Sequence, residues 1–233
     1  CGSTHMQGLQ ELVRADGFDL GLAFDGDGDR VIAVDATGDI VDGDFMMAIC
    51  ARYLKARNQR RQDAIVTTVM TNLGFHLAMQ ELGIDVLTTA VGDRYVLEEM
   101  LAGGYVLGGE QSGHIINLDT GTTGDGLASA LMLLQVMTGT GRPLRELART
   151  MTRLPQKPVN VPVRDLDGLA DALEIWEHVE SESQGLAGQG RVLVRPSGTE
   201  PLVRVMVEAR TTELCDEVCD RLVGTVEKIM GER

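Results

Sequence analysis

The sequence is poor in aromatic side chains, which make up 3% of its 233 residues, and in positive charge. With so few aromatic rings, the core has to be built from aliphatic side chains. Lys and Arg number 21 against 35 Asp and Glu, which gives a formal net charge of −14. A chain this acidic is poorly suited to the phosphate backbone of nucleic acid. We therefore expect no nucleic-acid partner, and any bound anion has to be held by a few local Arg side chains and backbone N–H groups.

Long apolar runs and a cysteine framework are also missing. The longest apolar stretch, residues 127–137, contains Ser129 and Gln135 and is too short to span a bilayer. The first residues show neither the basic region nor the apolar run of a signal peptide. We therefore expect a cytoplasmic protein with no membrane partner. The cysteines have no paired spacing and are interpreted as reduced thiols; they are Cys1, Cys50, Cys215 and Cys219.

Strand and helix patterns alternate over the first two thirds of the chain. Hydrophobic residues at 43% and charged residues at 24% are typical of globular proteins. Strands are predicted at 20–24, 31–34, 64–69, 86–91, 105–107 and 115–118, and helices at 45–55, 72–82, 95–102 and 125–137. This rhythm predicts an α/β domain with a mixed, mainly parallel sheet and helices on both faces.

The pattern changes near residues 154–158, where prolines cluster and we place a linker. The remaining segment predicts a strand at 159–163, a helix at 166–179, strands at 192–195 and 202–209, and a last helix from Thr211. This order predicts a smaller α+β C-terminal domain.

The run Asp25-Gly26-Asp27-Gly28-Asp29-Arg30 directly follows a predicted strand. Carboxylates at alternate positions repel one another unless a cation neutralises them, and oxygen ligands select a hard cation such as Mg²⁺ or Ca²⁺. An EF-hand loop does not fit, because Arg30 stands where that loop needs Gly and Ala36 where it needs Glu. The alternative is a solvated acidic turn.

Three further loops carry polar side chains. The loop at 108–114 presents Glu110, Ser112 and His114, a set suited to sugar hydroxyls, although a plain turn would also explain it. The turn at 91–95 carries Arg94 after a strand, where open α/β sheets bind ligands, and its Asp93 also suits a helix N-cap. A third loop predicts a phosphate-sized anion cradle, or else an ordinary polar turn; it supplies Arg195, Ser197, Gly198, Thr199 and Arg204.

Three of these segments together resemble one family. DGDGDR at 25–30, GGEQSGH at 108–114 and RPSGTEPLVRVMVEA at 195–209, in this order and spacing, are similar to the α-D-phosphohexomutases. VGDRYV at 91–96 and the Gln of GGEQSGH resemble the phosphoglucosamine mutase branch. That branch interconverts glucosamine 6-phosphate and glucosamine 1-phosphate on the bacterial route to UDP-N-acetylglucosamine and peptidoglycan.

The resemblance implies four domains around one cleft and a phosphorylated serine followed by His and Asn. None of the six serines here has that context. We therefore expect a C-terminal piece, inactive alone, made of a domain 2 remnant (1–40), domain 3 (41–153) and domain 4 (154–233).

The resemblance also implies roles for single residues. Asp25, Asp27 and Asp29 would hold Mg²⁺, with Arg30 beside the transferred phosphate. The implied substrate-binding residues are Arg94, Glu110, Ser112, His114, Arg195, Ser197, Gly198, Thr199 and Arg204. The implied partners are a hexosamine phosphate and glucosamine 1,6-bisphosphate, and a homodimer stays open. The alternatives are a phosphomannomutase or phosphoglucomutase piece and a non-catalytic module that binds sugar phosphates.

Overall fold

A computed structural model of the chain describes residues 2–57, 64–198 and 200–231. It divides into two compact units, Cys1–Thr152 and Arg153–Arg233. The boundary expected before residue 154 lies one residue from this division. The further division expected after residue 40 falls inside a short strand, Ile40–Val41, so both of its sides belong to the first unit.

Unit 1 contains the larger share of the secondary structure. Its helices are α1 (Gln7–Asp16), α2 (Gly43–Ala56), α3 (Leu73–Glu81), α4 (Asp93–Gly103), α5 (Gly126–Thr140) and α6 (Leu144–Ala148). Its strands are β1 (Leu20–Phe24), β2 (Val31–Asp35), β3 (Ile40–Val41), β4 (Ala64–Thr68), β5 (Asp85–Thr89), β6 (Leu107–Gly109) and β7 (Ile115–Asn117).

Two sheets organise unit 1. Strands β1, β2 and β3 form an antiparallel sheet in that order. The second sheet has the order β5-β4-β6-β7, with β4 parallel to β5 and β6 and with β7 antiparallel to β6. The central strand β4 is buried throughout, and its neighbouring residues Ile65 and Val66 belong to different apolar clusters. Ile65 packs in the cluster of α2, whereas Val66 packs with Val96 and Met100 of α4, so the prediction of a mixed sheet with helices on both faces is confirmed.

Strand β6 begins two residues later than expected and includes two glycines of the loop. A Cβ on Gly108 would lie 2.6 Å from the Met100 sulfur and 2.9 Å from the Val66 carbonyl oxygen. Only glycine therefore allows β6 to approach both β4 and α4 this closely. Helices α1 and α6 and the short β3 were not anticipated from the sequence.

Unit 2 is an antiparallel sheet covered by two helices, which confirms the prediction of a smaller α+β domain. Its strands are β8 (Gln156–Pro162), β9 (Gly190–Pro196) and β10 (Leu202–Ala209), in the order β8-β10-β9, and its helices are α7 (Leu173–Leu186) and α8 (Thr212–Met230). The proline-rich linker was placed partly in error, because Pro158 lies within β8. An edge strand tolerates proline, since its outward side has no ladder hydrogen bond to lose.

Helix α7 also begins later than expected. Asp167 and Gly168 favour turns, and Leu169 is buried among the core residues of unit 2. The Trp176 indole N–H donates to the Leu169 carbonyl at 2.8 Å. This hydrogen bond attaches the turn around Leu169 to the first turn of α7.

The three described cysteines are free and buried. Burial raises the pKa of the Cys50 thiol to about 12 and that of the Cys219 thiol to about 11. Such thiols are poor nucleophiles at neutral pH. Among the described residues, no helix has the length and apolar character needed to cross a membrane.

Candidate active site

The acidic loop joins the end of β1 to the start of β2. Gly28 has a φ of +72°, and its N–H donates to the Asp25 carbonyl at 3.3 Å, which closes a tight turn. The Arg30 N–H donates to Asp25 Oδ1 at 3.3 Å. Arg30 Nε lies 3.8 Å from Asp25 Oδ2 and 4.0 Å from Asp29 Oδ2. The turn therefore brings the first and third carboxylates to one guanidinium.

Asp29 is the most constrained of the three acids. Burial alone would raise the pKa of its carboxyl, but hydrogen bonds with the Asp25 carboxyl and the His114 ring hold that pKa below its ordinary value. Asp29 Oδ2 lies 3.0 Å from His114 Nδ1. Asp29 Oδ1 is buried and has no hydrogen-bond partner within the described residues.

Asp27 lies exposed at the tip of the loop. Within residues 2–57, 64–198 and 200–231, no three His, Cys, Asp or Glu side chains converge closely enough to hold a metal ion. The expected convergence of three carboxylates is thus limited to Asp25 and Asp29. This pair fits a hard divalent cation, because two carboxyls are in contact and one buried oxygen has no partner. Asp27 would have to turn inward to join them.

The glycine-rich loop between β6 and β7 is seated on the start of α2. The Gly43 N–H donates to the Gln111 carbonyl at 3.1 Å, and Gln111 Nε2 donates to Asp44 Oδ2 at 3.3 Å. A Cβ on Gly43 would lie only 2.1 Å from the Glu110 carbonyl oxygen. Gln111, the residue that resembles the phosphoglucosamine mutase branch, therefore anchors the loop through its side chain.

Glu110 and Ser112 lie side by side on this loop. Glu110 Oε1 accepts from the Gly92 N–H at 3.1 Å, and the Ser112 hydroxyl donates to Glu110 Oε2 at 3.4 Å. The 91–95 turn is therefore attached to the loop through a backbone N–H. Carboxylate and hydroxyl groups in contact are well suited to hydrogen-bond several sugar hydroxyls.

Arg94 lies apart from these groups. Its Nε donates to Glu98 Oε1 at 2.7 Å, its side chain is 81% exposed, and this pair raises the pKa of the guanidinium. Gly92, rather than Asp93, is the N-cap of α4. The substrate-binding role of Arg94 stays a prediction.

The acidic loop and the glycine-rich loop meet directly. Arg30 and His114 form an isolated antiparallel bridge, and the Val31 N–H donates to the Gly113 carbonyl at 3.2 Å. The shared rim expected from the strand ends is therefore present for residues 25–30 and 110–114. The start of α5, which the sequence analysis did not connect with this rim, supports it, since the Gly126 N–H donates to the Gly28 carbonyl at 2.9 Å and the Gly124 N–H donates to His114 Nε2 at 3.2 Å.

The residues predicted to form an anion cradle lie in unit 2, on the sheet face opposite its helices. Arg195 and Arg204 are direct cross-strand partners, and Arg204 Nη2 donates to the Ser197 hydroxyl at 3.2 Å. Burial and then the positive charge of Arg204 lower the pKa of Arg195. Arg204 Nε is buried, with no hydrogen-bond partner among the described residues. Two adjacent guanidiniums of this kind favour a bound anion.

The rest of the cradle is less complete. The Ser197 N–H donates to the Leu202 carbonyl at 2.8 Å, so this backbone donor is already used. Gly198 is exposed, and Thr199 lies outside the described residues. Asn160 of β8 is the other cross-strand partner of Arg204 and was missed from the sequence. Its polar side chain between Val159 and Val161 is the signal that could have revealed it.

Comparison with known families assigns the two units to two domains of one family. Residues 42–154 match the family model "Phosphoglucomutase/phosphomannomutase, alpha/beta/alpha domain III", and residues 159–225 match "Phosphoglucomutase/phosphomannomutase, C-terminal domain". The chain belongs to the phosphoglucomutase/phosphomannomutase family.

Two curated phosphoglucosamine mutases are similar to almost the whole of this chain. The chain is 56% identical over 229 residues to the phosphoglucosamine mutase of Desulforudis audaxviator, covering 98% of this chain and 51% of that protein. It is 56% identical over 230 residues to that of Bacillus cytotoxicus, covering 99% and 51%. The chain thus spans about half the length of these curated relatives.

A solved structure shows the same fold. Aspergillus fumigatus N-acetylphosphoglucosamine mutase, in complex with GlcNAc-6P and magnesium, superposes with a TM-score of 0.77 at 19% identity. The match covers 98% of this chain and 53% of that one.

Proposed function

We propose that this chain supplies the metal-, sugar- and phosphate-binding parts of a phosphoglucosamine mutase. That enzyme interconverts glucosamine 6-phosphate and glucosamine 1-phosphate through glucosamine 1,6-bisphosphate. The observation that carries the proposal is the direct joining of the acidic loop to the Glu110–Ser112 loop through Asp29 and His114. Identity of 56% to phosphoglucosamine mutases over almost the whole chain supports it.

The metal-binding part is the acidic loop. Asp25 and Asp29, joined by Asp27, would hold Mg²⁺, and the magnesium complex of the Aspergillus enzyme supports this choice. Bound there, the ion would neutralise oxygens of the transferred phosphoryl group. Arg30 places a positive charge within 4.0 Å of the Asp25 and Asp29 carboxylates and would orient a phosphate arriving at this loop.

The sugar-binding part is the glycine-rich loop. The Glu110 carboxylate would accept hydrogen bonds from sugar hydroxyl or amino groups, and Ser112 would both donate and accept. Arg94 would join by exchanging Glu98 for a phosphate. Such an exchange costs little, because an exposed i,i+4 ion pair is worth only about 0.3–0.5 kcal/mol.

The phosphate-binding part lies in unit 2. Arg195, Ser197, Gly198 and Arg204 would bind the phosphate that is not transferred, together with Thr199. No serine of this chain has the context of a phosphoryl donor. We therefore expect the chain alone to bind a sugar phosphate without turning it over. In the bacterial cell, the full enzyme would act in the cytoplasm, towards UDP-N-acetylglucosamine and peptidoglycan precursors.

Titration of glucosamine 6-phosphate into ¹⁵N-labelled protein with Mg²⁺ tests this assignment. The dissociation constant should be on the order of millimolar, because the hydrogen bonds gained are offset by lost ligand freedom. Arg204→Ala should weaken binding at least tenfold, since a charge-assisted hydrogen bond contributes about 1.5–3 kcal/mol. Arg210→Ala is the matched control: it removes an exposed Arg beyond the other end of β10 and should leave the affinity unchanged.

The alternatives give different outcomes in the same titration. A phosphomannomutase would bind mannose 6-phosphate, and a phosphoglucomutase glucose 6-phosphate, at least as tightly as glucosamine 6-phosphate. Equal binding by wild type and Arg204→Ala would contradict the phosphate-binding role. Turnover of glucosamine 6-phosphate by this chain alone would contradict the division of roles proposed here.

A further inference from the structure

We propose that Asp44 is a positioning residue for sugar binding. Its buried carboxylate would hold the Gln111 side chain and so fix Glu110 and Ser112, the neighbours of Gln111, where they can meet a sugar. Asp44 itself would not touch the ligand. This inference rests on the proposed function of the glycine-rich loop and deepens it, because it names a residue outside the loop that determines the position of the loop.

Asp44 places a carboxylate where no solvent reaches it. It is the second residue of α2 and is fully buried. The N-terminal end of the helix dipole stabilises a negative charge in this first turn. A buried carboxylate nevertheless remains costly unless N–H groups face it. The donors around Asp44 are therefore a condition for having an acidic residue at this position.

Two donors from distant parts of unit 1 meet Asp44 Oδ2. The Asn72 backbone N–H donates at 2.9 Å and Gln111 Nε2 donates at 3.3 Å, across 28 and 67 positions of the chain. Asn72 is the N-cap of α3, where its side chain accepts from the Gly74 N–H at 3.0 Å. Asp44 therefore joins the starts of two helices to the glycine-rich loop.

Gln111 is held both by its backbone and by its side chain. Its carbonyl accepts from the Gly43 N–H at 3.1 Å, and its side-chain amide donates to Asp44, the next residue of α2. Because both partners belong to one helix turn, they fix the position and the orientation of Gln111 together. Glu110 and Ser112 flank it, and their side chains are 3.4 Å apart. A displaced Gln111 would move both of these side chains.

Burial separates the anchor from the groups that would meet a ligand. Asp44 and Asn72 are fully buried, whereas Ser112 is exposed and Glu110 is half-buried. A hydrogen bond to an ionised acceptor is also about twice as strong as one between neutral groups. Asp44 therefore provides a firm support beneath a loop whose polar side chains stay accessible.

The first test is Gln111→Glu in the whole chain, followed by NMR titration. This near-isosteric change sets a second carboxylate against Asp44, and like charges in contact repel. Affinity for glucosamine 6-phosphate should fall about fivefold or more, which corresponds to one hydrogen bond, and the amides of residues 110–114 should shift. Affinity for inorganic phosphate, which would bind in unit 2, should not change. A general loss of stability would not weaken one ligand and spare the other.

A rescue variant and a control accompany this change. Adding Asp44→Asn to Gln111→Glu removes the like-charge contact and should restore most of the affinity for glucosamine 6-phosphate. Gln80→Glu is the matched control, since it adds the same charge at an exposed position of α3, and it should bind both ligands as wild type does. A double variant as weak as Gln111→Glu alone would contradict the proposal.

The second test uses the wild-type chain without ligand. The side-chain amide protons of Gln111 should exchange with water about tenfold more slowly than those of the exposed Gln80, because Gln111 Nε2 donates to a buried carboxylate. Exchange spectroscopy by NMR measures both rates. This experiment decides the question even where Gln111→Glu does not fold, and equal exchange of the two side chains would overturn the proposal.

The outcomes separate this inference from the function on which it rests. If wild type prefers glucosamine 6-phosphate to inorganic phosphate and Gln111→Glu keeps that preference, the positioning role is wrong and the sugar-binding role of the loop stands. If wild type binds the two ligands equally, the loop binds no sugar, and both its proposed role and this inference are wrong. The Arg204→Ala titration then still decides the phosphate-binding role of unit 2.

Discussion

At the scale of single residues, Glu182 links the two helices of unit 2 most firmly. Arg221 donates to both of its carboxylate oxygens, from Nε at 2.6 Å and from Nη2 at 2.8 Å, and His178 Nε2 lies 3.2 Å from Oε1. The Arg221 hydrogen bonds hold the pKa of the Glu182 carboxyl below its ordinary value of 4.5, although partial burial opposes them. Because the pKa is lower in the folded state, the ionised carboxylate stabilises the fold above pH 4.5, and this stabilisation is lost as the pH falls through the folded-state value.

We therefore predict that Glu182→Gln lowers the free energy of unfolding at pH 7 by about 1 kcal/mol, since half of the Arg221 side chain is exposed and solvent screens the pair. The variant should also lose less stability than wild type between pH 5 and pH 3. Urea unfolding followed by circular dichroism at several pH values measures both effects. Glu180→Gln, which changes an exposed carboxylate two residues away on α7, should behave as wild type does. Parallel acid profiles for wild type and Glu182→Gln would show that the pair contributes nothing.

Residue types in the candidate site could be identified from the sequence, but their partners could not. Asp25, Asp29, Glu110 and Ser112 stand out because carboxylates and hydroxyls follow strands in glycine-rich runs. The contact between Asp29 and His114 joins residues 85 positions apart in the chain, and no local pattern specifies it. The convergence of Asp27 with its neighbours was overestimated, because alternate spacing places side chains on a loop without fixing where each one points.

At the scale of elements, the glycine-rich loop depends on the first residue of α2. Gly43 lies within van der Waals contact of the loop backbone, at a point where no side chain fits. We predict that Gly43→Ala displaces the loop, destabilises unit 1 by about 1–3 kcal/mol and weakens binding of glucosamine 6-phosphate. Thermal unfolding and the amide shifts of residues 110–114 measure these two effects.

Gly8→Ala is the control for this change. Gly8 lies in α1 of the same unit, and a Cβ there meets no atom within 4 Å. Because alanine favours the helix over glycine, this variant should be as stable as wild type or more so. A Gly43→Ala protein with wild-type stability and an unshifted loop would mean that α2 does not position the loop.

Hydrophobic periodicity in the sequence predicted most of the helices and strands. It failed where tertiary packing determines which side chains are buried or where a strand begins. In helix α5, Leu127 and Leu131 lie on one face, and their side chains are 62% and 57% exposed. Its buried face instead contains small residues such as Ser129 and Ala130, which allow close approach to the rest of unit 1. In the same way, the low strand propensity of glycine predicts a loop at Gly108 and Gly109. These residues nevertheless form part of β6, because only glycine lets this segment pack closely against β4 and α4.

At the scale of the whole molecule, the net charge of −14 has the same sign as the sugar phosphate proposed as its ligand. The negative electrostatic potential of the whole chain repels a sugar phosphate. Binding therefore depends on positively charged groups that contact the phosphate directly. In the proposed function, Arg195 and Arg204 would provide these groups in unit 2, where each is a cross-strand neighbour of the other. Such a local pair of cations would let a chain whose overall charge disfavours nucleic acid still bind a phosphate ligand.

Unit 2 has what it needs to fold without unit 1. Its apolar cluster contains alternate residues of β10, Val203, Val205 and Val207, packed against Val218 and Leu222 of α8. The carboxylate of Glu208, which is fully buried, is satisfied within the unit by Arg191 and Gln156. A hydrophobic core and a buried ion pair whose partners all belong to one unit are typical of a domain that folds on its own.

We predict that residues 153–233, expressed alone, unfold in a single cooperative urea transition and bind inorganic phosphate weakly, with amide shifts centred on residues 195–200. Leu222→Ala should lower the free energy of unfolding by about 2–5 kcal/mol, because the core loses a fully buried side chain and retains the cavity. Ile229→Ala, in the same helix but 37% exposed, should cost much less. A sloping, non-cooperative melt of the isolated unit, or equal effects of these two substitutions, would show that its core is completed only by unit 1. In that case the phosphate cradle, too, would form only in the longer chain, because Arg195 and Arg204 are held by the sheet that this core supports.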